Sequence, residues 1–404
     1  MRVAVTGIGL VTPIGAGTRE VWSGLLAGRN GIRPVESFDT EALSVHNGGE
    51  VRGFEPTAAV AKMPGRIGRS SQLAIHCAEQ ALEDAGLDLS TFEPGRLSVA
   101  MGTTTGEPLE IERFDDLHVE GHENTVGPEF MGLYPSHAIS RHVAQAVGAA
   151  GPNVTLPTAC AAGNYALAFG LDALRHERAD LVLAGGADSF TRIVYTGFAR
   201  LGAISPDRCS PFDLHRQGMI PGEGAAVLAL EPLAAARRRG ARIYAEVLAY
   251  GLTCDAFHMT GSQPDGGGAV RAMRQALDTG GVDPAAVSYI SAHGTGTPTN
   301  DRMETLAARE VLGSAADSVP MSSIKSMIGH TMGAASAIEA ATCALAISEG
   351  RIPPTMHLET PDPECDLDYV AGEARDCDVR IAMNNAYAFG GHNSSVLFGH
   401  PDAS

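Results

Sequence analysis

At 404 residues the chain is longer than the roughly 100 to 150 residues of a usual single-core domain, so two lobes of similar size or a fused double domain are expected. With 44% hydrophobic and 19% charged residues and 48 scattered glycines it reads as a compact globular protein, not a disordered or fibrous one. A formal charge of -18 excludes general nucleic-acid binding, which needs clustered Lys and Arg, and no run approaches the roughly 18 apolar residues of a membrane span.

Along the chain, strands are expected over 3–6, 97–101, 181–184 and 225–230, alternating with helices over 71–85 and 161–175. That alternation points to an α/β layered fold. The amino-terminal stretch runs from one basic residue straight into a Gly-broken apolar strand, unlike a signal peptide. Its Gly7-Ile-Gly9 resembles the opening of a dinucleotide fingerprint, but Thr12 stands where the last glycine belongs. The segment 107–130, rich in Glu, Asp, His and Gly, is expected to be a surface or interface loop. Within it His118, Glu120 and His122 lack the ligand run of a metal site and read as loop residues.

After a boundary near 235–245 the same order resumes, with strands over 243–252 and 287–292 and helices near 268–278, 301–312 and 333–348. The proline-rich 351–368 reads as a second loop. The chain is accordingly divided into an amino-terminal half, 1–240, and a carboxy-terminal half, 241–404. The seven cysteines are an odd number without close CxxC pairing, so a reducing cytoplasm is the expected setting and neither a disulfide framework nor a zinc site is indicated.

Three segments carry candidate chemistry. In Asn153-Val-Thr-Leu-Pro-Thr-Ala-Cys160-Ala-Ala-Gly-Asn, a short strand ends near Cys160 and a helix begins at once, the arrangement that presents a nucleophile. The helix N-terminus there is expected to favour thiolate. His293 in Tyr289-Ile-Ser-Ala-His293-Gly-Thr-Gly-Thr sits at the end of another apolar strand, and His330 in Ser323-Ile-Lys325-Ser-Met-Ile-Gly-His330 precedes an Ala-rich helix. Helix N-termini disfavour imidazolium, leaving neutral rings able to donate a hydrogen bond to developing negative charge.

These segments, with Val5-Thr-Gly-Ile-Gly-Leu-Val-Thr-Pro13, Ser210-Pro-Phe-Asp213, Pro221-Gly-Glu-Gly224 and Ala388-Phe-Gly-Gly-His-Asn393, closely resemble the ketoacyl synthase family of the thiolase superfamily. The resemblance covers nearly the whole chain. It implies a thiolase-like fold of two fused similar halves in a five-layer αβαβα sandwich, working as a dimer. It also implies Cys160 as nucleophile, His293 and His330 as catalytic histidines, Lys325 beside the second histidine and Glu304 as a supporting buried acid. Backbone N–H groups of Cys160 and Phe389 would form the oxyanion hole, with Phe389 as gate and Thr295 and Thr297 binding the pantetheine arm.

By the same resemblance the activity is decarboxylative condensation of a malonyl thioester with a Cys-bound acyl chain. No metal or bound cofactor is expected; phosphopantetheine arrives on an acyl carrier protein. Features of 257–261 and 360–370 resemble the chain-elongating branch, which holds fatty-acid synthases and type II polyketide synthases. Ala159 before the cysteine departs from the Gly of aromatic polyketide enzymes, and Gln217 and Ala388 stand where housekeeping enzymes have Asp and Gly. A type II polyketide ketosynthase is the leading reading, a fatty-acid-synthase enzyme its neighbour. A non-catalytic chain-length-controlling subunit is disfavoured by Cys160 and the two histidines, and a thiolase by the absence of a second reactive cysteine near 389–392. The expected assembly is a heterodimer with a chain-length-factor-like homologue, or a homodimer. Arg66, Arg69 and Arg200 are candidate carrier contacts, and Thr105 a pocket residue that would leave room for a longer chain.

Overall fold

The computed structural model describes residues 1–122 and 126–402. Ten strands form its main sheet: β1 (Val3–Val11), β2 (Leu97–Gly102), β3 (Asn153–Leu156), β4 (Leu181–Asp188), β5 (Gly224–Pro232), β6 (Ala245–Cys254), β7 (Tyr289–Ser291), β8 (Met321–Ser322), β9 (Ile381–Tyr387) and β10 (His392–Gly399). Their order is β8-β7-β9-β10-β6-β1-β5-β4-β2-β3. The first five strands therefore run 3-2-4-5-1, and the last five run 3-2-4-5-1 again. The hydrogen-bonding sense repeats too. β2 pairs in parallel with β3 and β4, whereas β5 is antiparallel to both neighbours; β7, its two parallel neighbours and β10 follow the same pattern. A short antiparallel ladder, Val3 to Val5 against Val247 to Ala245, joins the halves.

Eight helices matter for the site: α1 (Arg69–Asp84), α2 (Pro108–Val119), α3 (Ala138–Val147), α4 (Ala162–Arg175), α5 (Arg192–Arg200), α6 (Gly267–Gly280), α7 (Pro298–Leu312) and α8 (Ala335–Glu349). α1 and α3 cover the outer face of the first half-sheet, α6 and α7 the outer face of the second, and α4 and α8 lie between the two. The result is the five-layer αβαβα sandwich. Central strands covered on both faces lose the polar alternation of a half-exposed sheet; all nine residues of β1 are buried. α8 is buried from Ala335 through Ile347 and mostly apolar on every side, as suits an enclosed helix.

Gly7 and Gly9 serve packing, not a nucleotide. A Cβ at Gly7 would lie 2.0 Å from the Ala81 carbonyl oxygen and one at Gly9 1.9 Å from that of Cys77, so β1 can take α1 against it only with glycine there. The expected loop over 107–130 is in part the helix α2. Pro108 opens its first turn, while buried Glu110 pairs with Arg66 at 2.9 Å and buried Glu112 accepts from the Ile193 N–H at 2.6 Å. Its polar side chains had suggested solvent, but two of its acids point inward to fixed partners. His118, in the last turn, stacks on Phe114. Part of that segment, 123–125, lies outside the described residues. The segment 351–368 is mostly irregular, as expected. Among the described residues no helix is long and apolar enough to cross a membrane.

α4 and α8 meet at their first turns. A Cβ on Gly163 would sit 2.4 Å from the backbone N of Ala337, Asn164 N–H donates to Ser336 Oγ at 3.1 Å, and Asn384 Nδ2 bridges Asn164 Oδ1 and the Ser336 carbonyl at 2.8 Å each. Because the obstacle is backbone, Gly163→Ala should destabilise the protein at the upper end of the about 1–3 kcal/mol typical of overpacking, read as a lowered urea midpoint. A midpoint equal to wild type would show that the crossing can open.

Candidate active site

β3 ends at Leu156, a tight turn over Ala159–Ala161 follows, and α4 starts at Ala162. Ala159 takes φ +50°, a conformation few non-glycine residues adopt, and this bend delivers Cys160 to the helix start. The side chain is 8% exposed. Burial pushes its thiol up to about 12; Lys325 pulls the other way, and the Asp188 carboxylate adds to the rise. Burial thus works against the thiolate that the helix N-terminus is expected to favour.

The histidines reach the same point from the second half. His293 follows β7, and His330 lies between β8 and α8, the place in its half that Cys160 occupies in the first. Cys160 Sγ and a ring nitrogen of each histidine lie within 4.8 Å of one another, and the two imidazoles are edge-to-face at 5.5 Å. Burial first, and the charge of Lys325 second, hold both rings well below the ordinary histidine range, so both are neutral near pH 7. The Met332 N–H donates to His330 Nδ1 at 3.1 Å, which leaves the proton on Nε2. For His293, Lys325 Nζ lies 3.4 Å from Nδ1, and an ammonium can only donate. Both rings thus carry Nε2–H and act as donors at that edge. The same positive charge opposes a metal cation among these three side chains.

Lys325, 1% exposed, donates to the His293 carbonyl at 2.7 Å and is ion-paired with Glu339, equally buried. Burial raises the Glu339 carboxyl and Lys325 restrains it. Glu339 was missed from sequence because a lone acid in an Ala-rich helix looks like a solvated position. Its place among thirteen otherwise apolar, small or hydroxyl-bearing residues, 335–347, is the signal that marks it. Glu304 on α7 accepts from the N–H groups of His293 and Gly294 at 2.7 and 2.8 Å, fixing the loop that carries His293. Burial pushes this carboxyl up to about 8.

A cavity of about 330 Å³ leads to these residues. Thr295 and Thr297 line it, their hydroxyls 2.8 Å apart, and Phe198, Gln217, Ala388 and Phe389 form other parts of its wall. Phe389 is 37% exposed, rests at 5.7 Å on Phe198, and is followed by Gly390 and Gly391, both left-handed. Of the candidate carrier contacts, Arg69 is committed inward to Glu223 at 3.0 Å and to the Val51 carbonyl, and is removed from the set. Arg66 pairs with Glu110, and Arg200 is exposed next to the cavity-lining Leu201. Thr105 is not part of this cavity wall; its N–H and hydroxyl bond Asp188.

The Beta-ketoacyl synthase, N-terminal domain family matches residues 1–236, and the Beta-ketoacyl synthase, C-terminal domain family matches 244–359. The chain is 40% identical to 3-oxoacyl-(acyl-carrier-protein) synthase 2 of Synechocystis sp. over 98% of its length and 97% of that protein. It is 38% identical to the protein of the same name from Staphylococcus aureus, covering 98% of each. Among solved structures, the ishigamide ketosynthase/chain length factor superposes with a TM-score of 0.93 at 41% identity, 98% of each chain covered. A beta-ketoacyl synthase from Burkholderia phymatum gives 0.91 at 34% identity, 99% of each chain covered. A type II polyketide synthase acyl carrier protein in complex with its ketosynthase gives 0.92 at 32% identity, 98% of each covered. With two family matches spanning both halves and relatives at about 40% identity along nearly its full length, this chain belongs to the beta-ketoacyl synthase family and is a ketosynthase of the acyltransferase class.

Proposed function

We propose that the chain is an elongating ketosynthase of a type II polyketide pathway, condensing a malonyl unit on an acyl carrier protein with an acyl chain held on Cys160. The observation that carries the chemistry is the buried meeting of Cys160 with two neutral, Nε2-protonated histidines at the end of one cavity. The pathway reading draws on Gln217 and Ala388, departures from the housekeeping pattern that both line that cavity, and on the resemblance to the ketosynthase/chain length factor structure. The second reading, a fatty-acid-synthase enzyme, draws on the names of the curated relatives.

In the first half-reaction Cys160 attacks the thioester carbonyl, and the backbone N–H groups of Cys160 and Phe389 receive the oxyanion. The acyl–sulfur bond to the carrier breaks as that to Cys160 forms, and the thiol proton ends on the departing pantetheine. In the second, the malonyl C–C bond to carboxylate breaks, carbon dioxide leaves, and the electron pair becomes an enolate whose oxygen accepts from His293 and His330. That carbon then attacks the acyl carbonyl, the acyl–sulfur bond to Cys160 breaks as the new carbon–carbon bond forms, and the sulfur released takes a proton from water. Lys325 and Glu339 hold His293, and Thr295 and Thr297 bind the pantetheine arm. The phosphopantetheine is covalently part of the carrier protein, and the setting is cytoplasmic.

For assembly we propose a heterodimer with a homologue of the chain-length-factor kind, a homodimer being the alternative. β3 is one of the two edge strands of the main sheet, and Val119 and Met131 are 85% and 63% exposed. An unpaired strand edge and apolar side chains favour burial against another chain.

Three outcomes test these proposals. Cys160→Ala should abolish condensation and self-acylation while malonyl decarboxylation persists, because both histidines remain; His293→Ala and His330→Ala should each lower decarboxylation about 100-fold or more, against no change for the exposed His176→Ala. Radiolabelled carbon dioxide release and intact mass of the acyl-enzyme separate the halves, and equal small effects at all sites would refute the roles. Lys325→Met removes the charge that, after burial, helps lower both histidine pKa values, so the rings gain protons at higher pH. The acid limb of the decarboxylation profile should move upward, and an unmoved or lowered limb contradicts the electrostatic role. Light scattering of the chain alone and with its co-expressed homologue should show a heterodimer whose product lengths differ from those of the chain alone. A homodimer with identical products in both cases selects the alternative.

A further inference from the structure

Asp188 closes β4 and is completely buried, yet the mechanism above does not use it. Its carboxylate takes donors from two separate segments. From the loop after β2 come Thr103 Oγ1 at 2.7 Å, Thr104 N–H at 2.8 Å and Thr105 N–H at 3.2 Å. From the turn after His330 comes the Gly333 N–H at 2.6 Å. The cradle is closed around it, since a Cβ on Gly333 would meet Thr103 at 2.5 Å and Asp188 Oδ2 at 2.7 Å. Among the described residues no salt bridge engages the group.

The turn it grips is under strain. Met332 holds φ +54°, a conformation that persists only when the surroundings fix it. That same Met332 supplies the N–H bonded to His330 Nδ1, so a relaxed Met332 would free Nδ1 to carry the proton and leave Nε2 an acceptor. Such a ring repels an enolate oxygen through its lone pair. We infer that Asp188 is a positioning residue that, through the Gly333 N–H, fixes the strained turn and thereby keeps the His330 proton on the nitrogen that meets the substrate. It rests on the role proposed for His330, but its readout is the ring itself.

The direct test is ¹⁵N NMR of histidine-labelled protein, with His330 assigned by its loss in His330→Ala. Wild type should show a neutral Nε2–H tautomer with Nδ1 accepting; an Nδ1–H tautomer would overturn the inference whatever His330 does in catalysis. Asp188→Ala should shift His330 toward a tautomer mixture and lower decarboxylation about 10- to 100-fold, with self-acylation of Cys160 from an acyl-pantetheine within about threefold of wild type. Asp188→Asn keeps one carbonyl oxygen for Gly333, and the Thr103 and Thr105 hydroxyls can accept from its amide, so its loss of decarboxylation should be milder, about three- to tenfold. Unchanged His330 resonances in Asp188→Ala, or acylation and decarboxylation falling in parallel, would refute the assignment. Should Asp188→Ala not fold, Asp188→Asn takes its place with a three- to tenfold loss of decarboxylation at unchanged acylation, and a decarboxylation rate equal to wild type there refutes it. A His330 tautomer that shifts in Asp188→Ala as expected, while His330→Ala lowers decarboxylation only by a small factor, would keep Asp188 as the anchor and instead remove His330 from the enolate site.

Discussion

The backbone contact between Gly163 and Ala337 sets the geometry of everything that follows. Two helices that approach closely enough for a Cβ to touch a backbone nitrogen at 2.4 Å must bring their first turns to one place. Cys160 precedes one of these turns and His330 the other, so the crossing assembles a site from residues 170 apart in sequence. The repeated strand order explains why this works. The third strand of each half leads into the central helix of that half, and antiparallel docking of two like halves superimposes the two helix entrances. His293 joins from the end of the second strand of its half, one position over in the same sheet.

Enclosure then decides the protonation states. A site formed in the middle layer is remote from water, and burial is the largest cause of shift at Cys160, His293, His330, Glu304 and Glu339 alike. It drives each group toward its neutral form. Lys325 lies beside its Glu339 partner, and its charge reinforces neutrality of the rings while opposing that of the thiol. In the proposed cycle the outcome is a site with hydrogen-bond donors already aimed and little charge to reorganise, which is where preorganised electrostatic stabilisation is strongest.

Much of this was legible in the letters because the reactive residues sit at changes of local pattern. Cys160 stands where a strand becomes a small-residue helix, His293 where an apolar run meets Gly-Thr-Gly, and His330 before an unbroken Ala-rich stretch. Strand and helix order followed from apolar periodicity, and the five-layer arrangement from the family resemblance. What stayed hidden depended on partners distant in sequence. Glu339 and Asp188 look like ordinary polar interruptions until the donors facing them are known. The acids of α2 suggested a solvated loop although Arg66 and the Ile193 N–H await them inside. Arg69 looked like a surface cation until Glu223, 154 positions away, turned it inward. The upward push on the Cys160 thiol stayed hidden for a related reason, since a helix N-terminus is visible in sequence and the depth of burial is not.

The pairing of β1 carries a consequence for how the chain is made. Val11 bonds opposite Ala225 and Val3 opposite Pro232, with Val247 on the other side. β1 is thus bonded on both edges to strands made more than two hundred residues later. At roughly 5–20 residues per second of synthesis, this apolar strand waits on the order of ten to forty seconds without its neighbours. Throughout that interval both of its edges lack their native partners, and an apolar segment with open edges is a template for pairing with another chain.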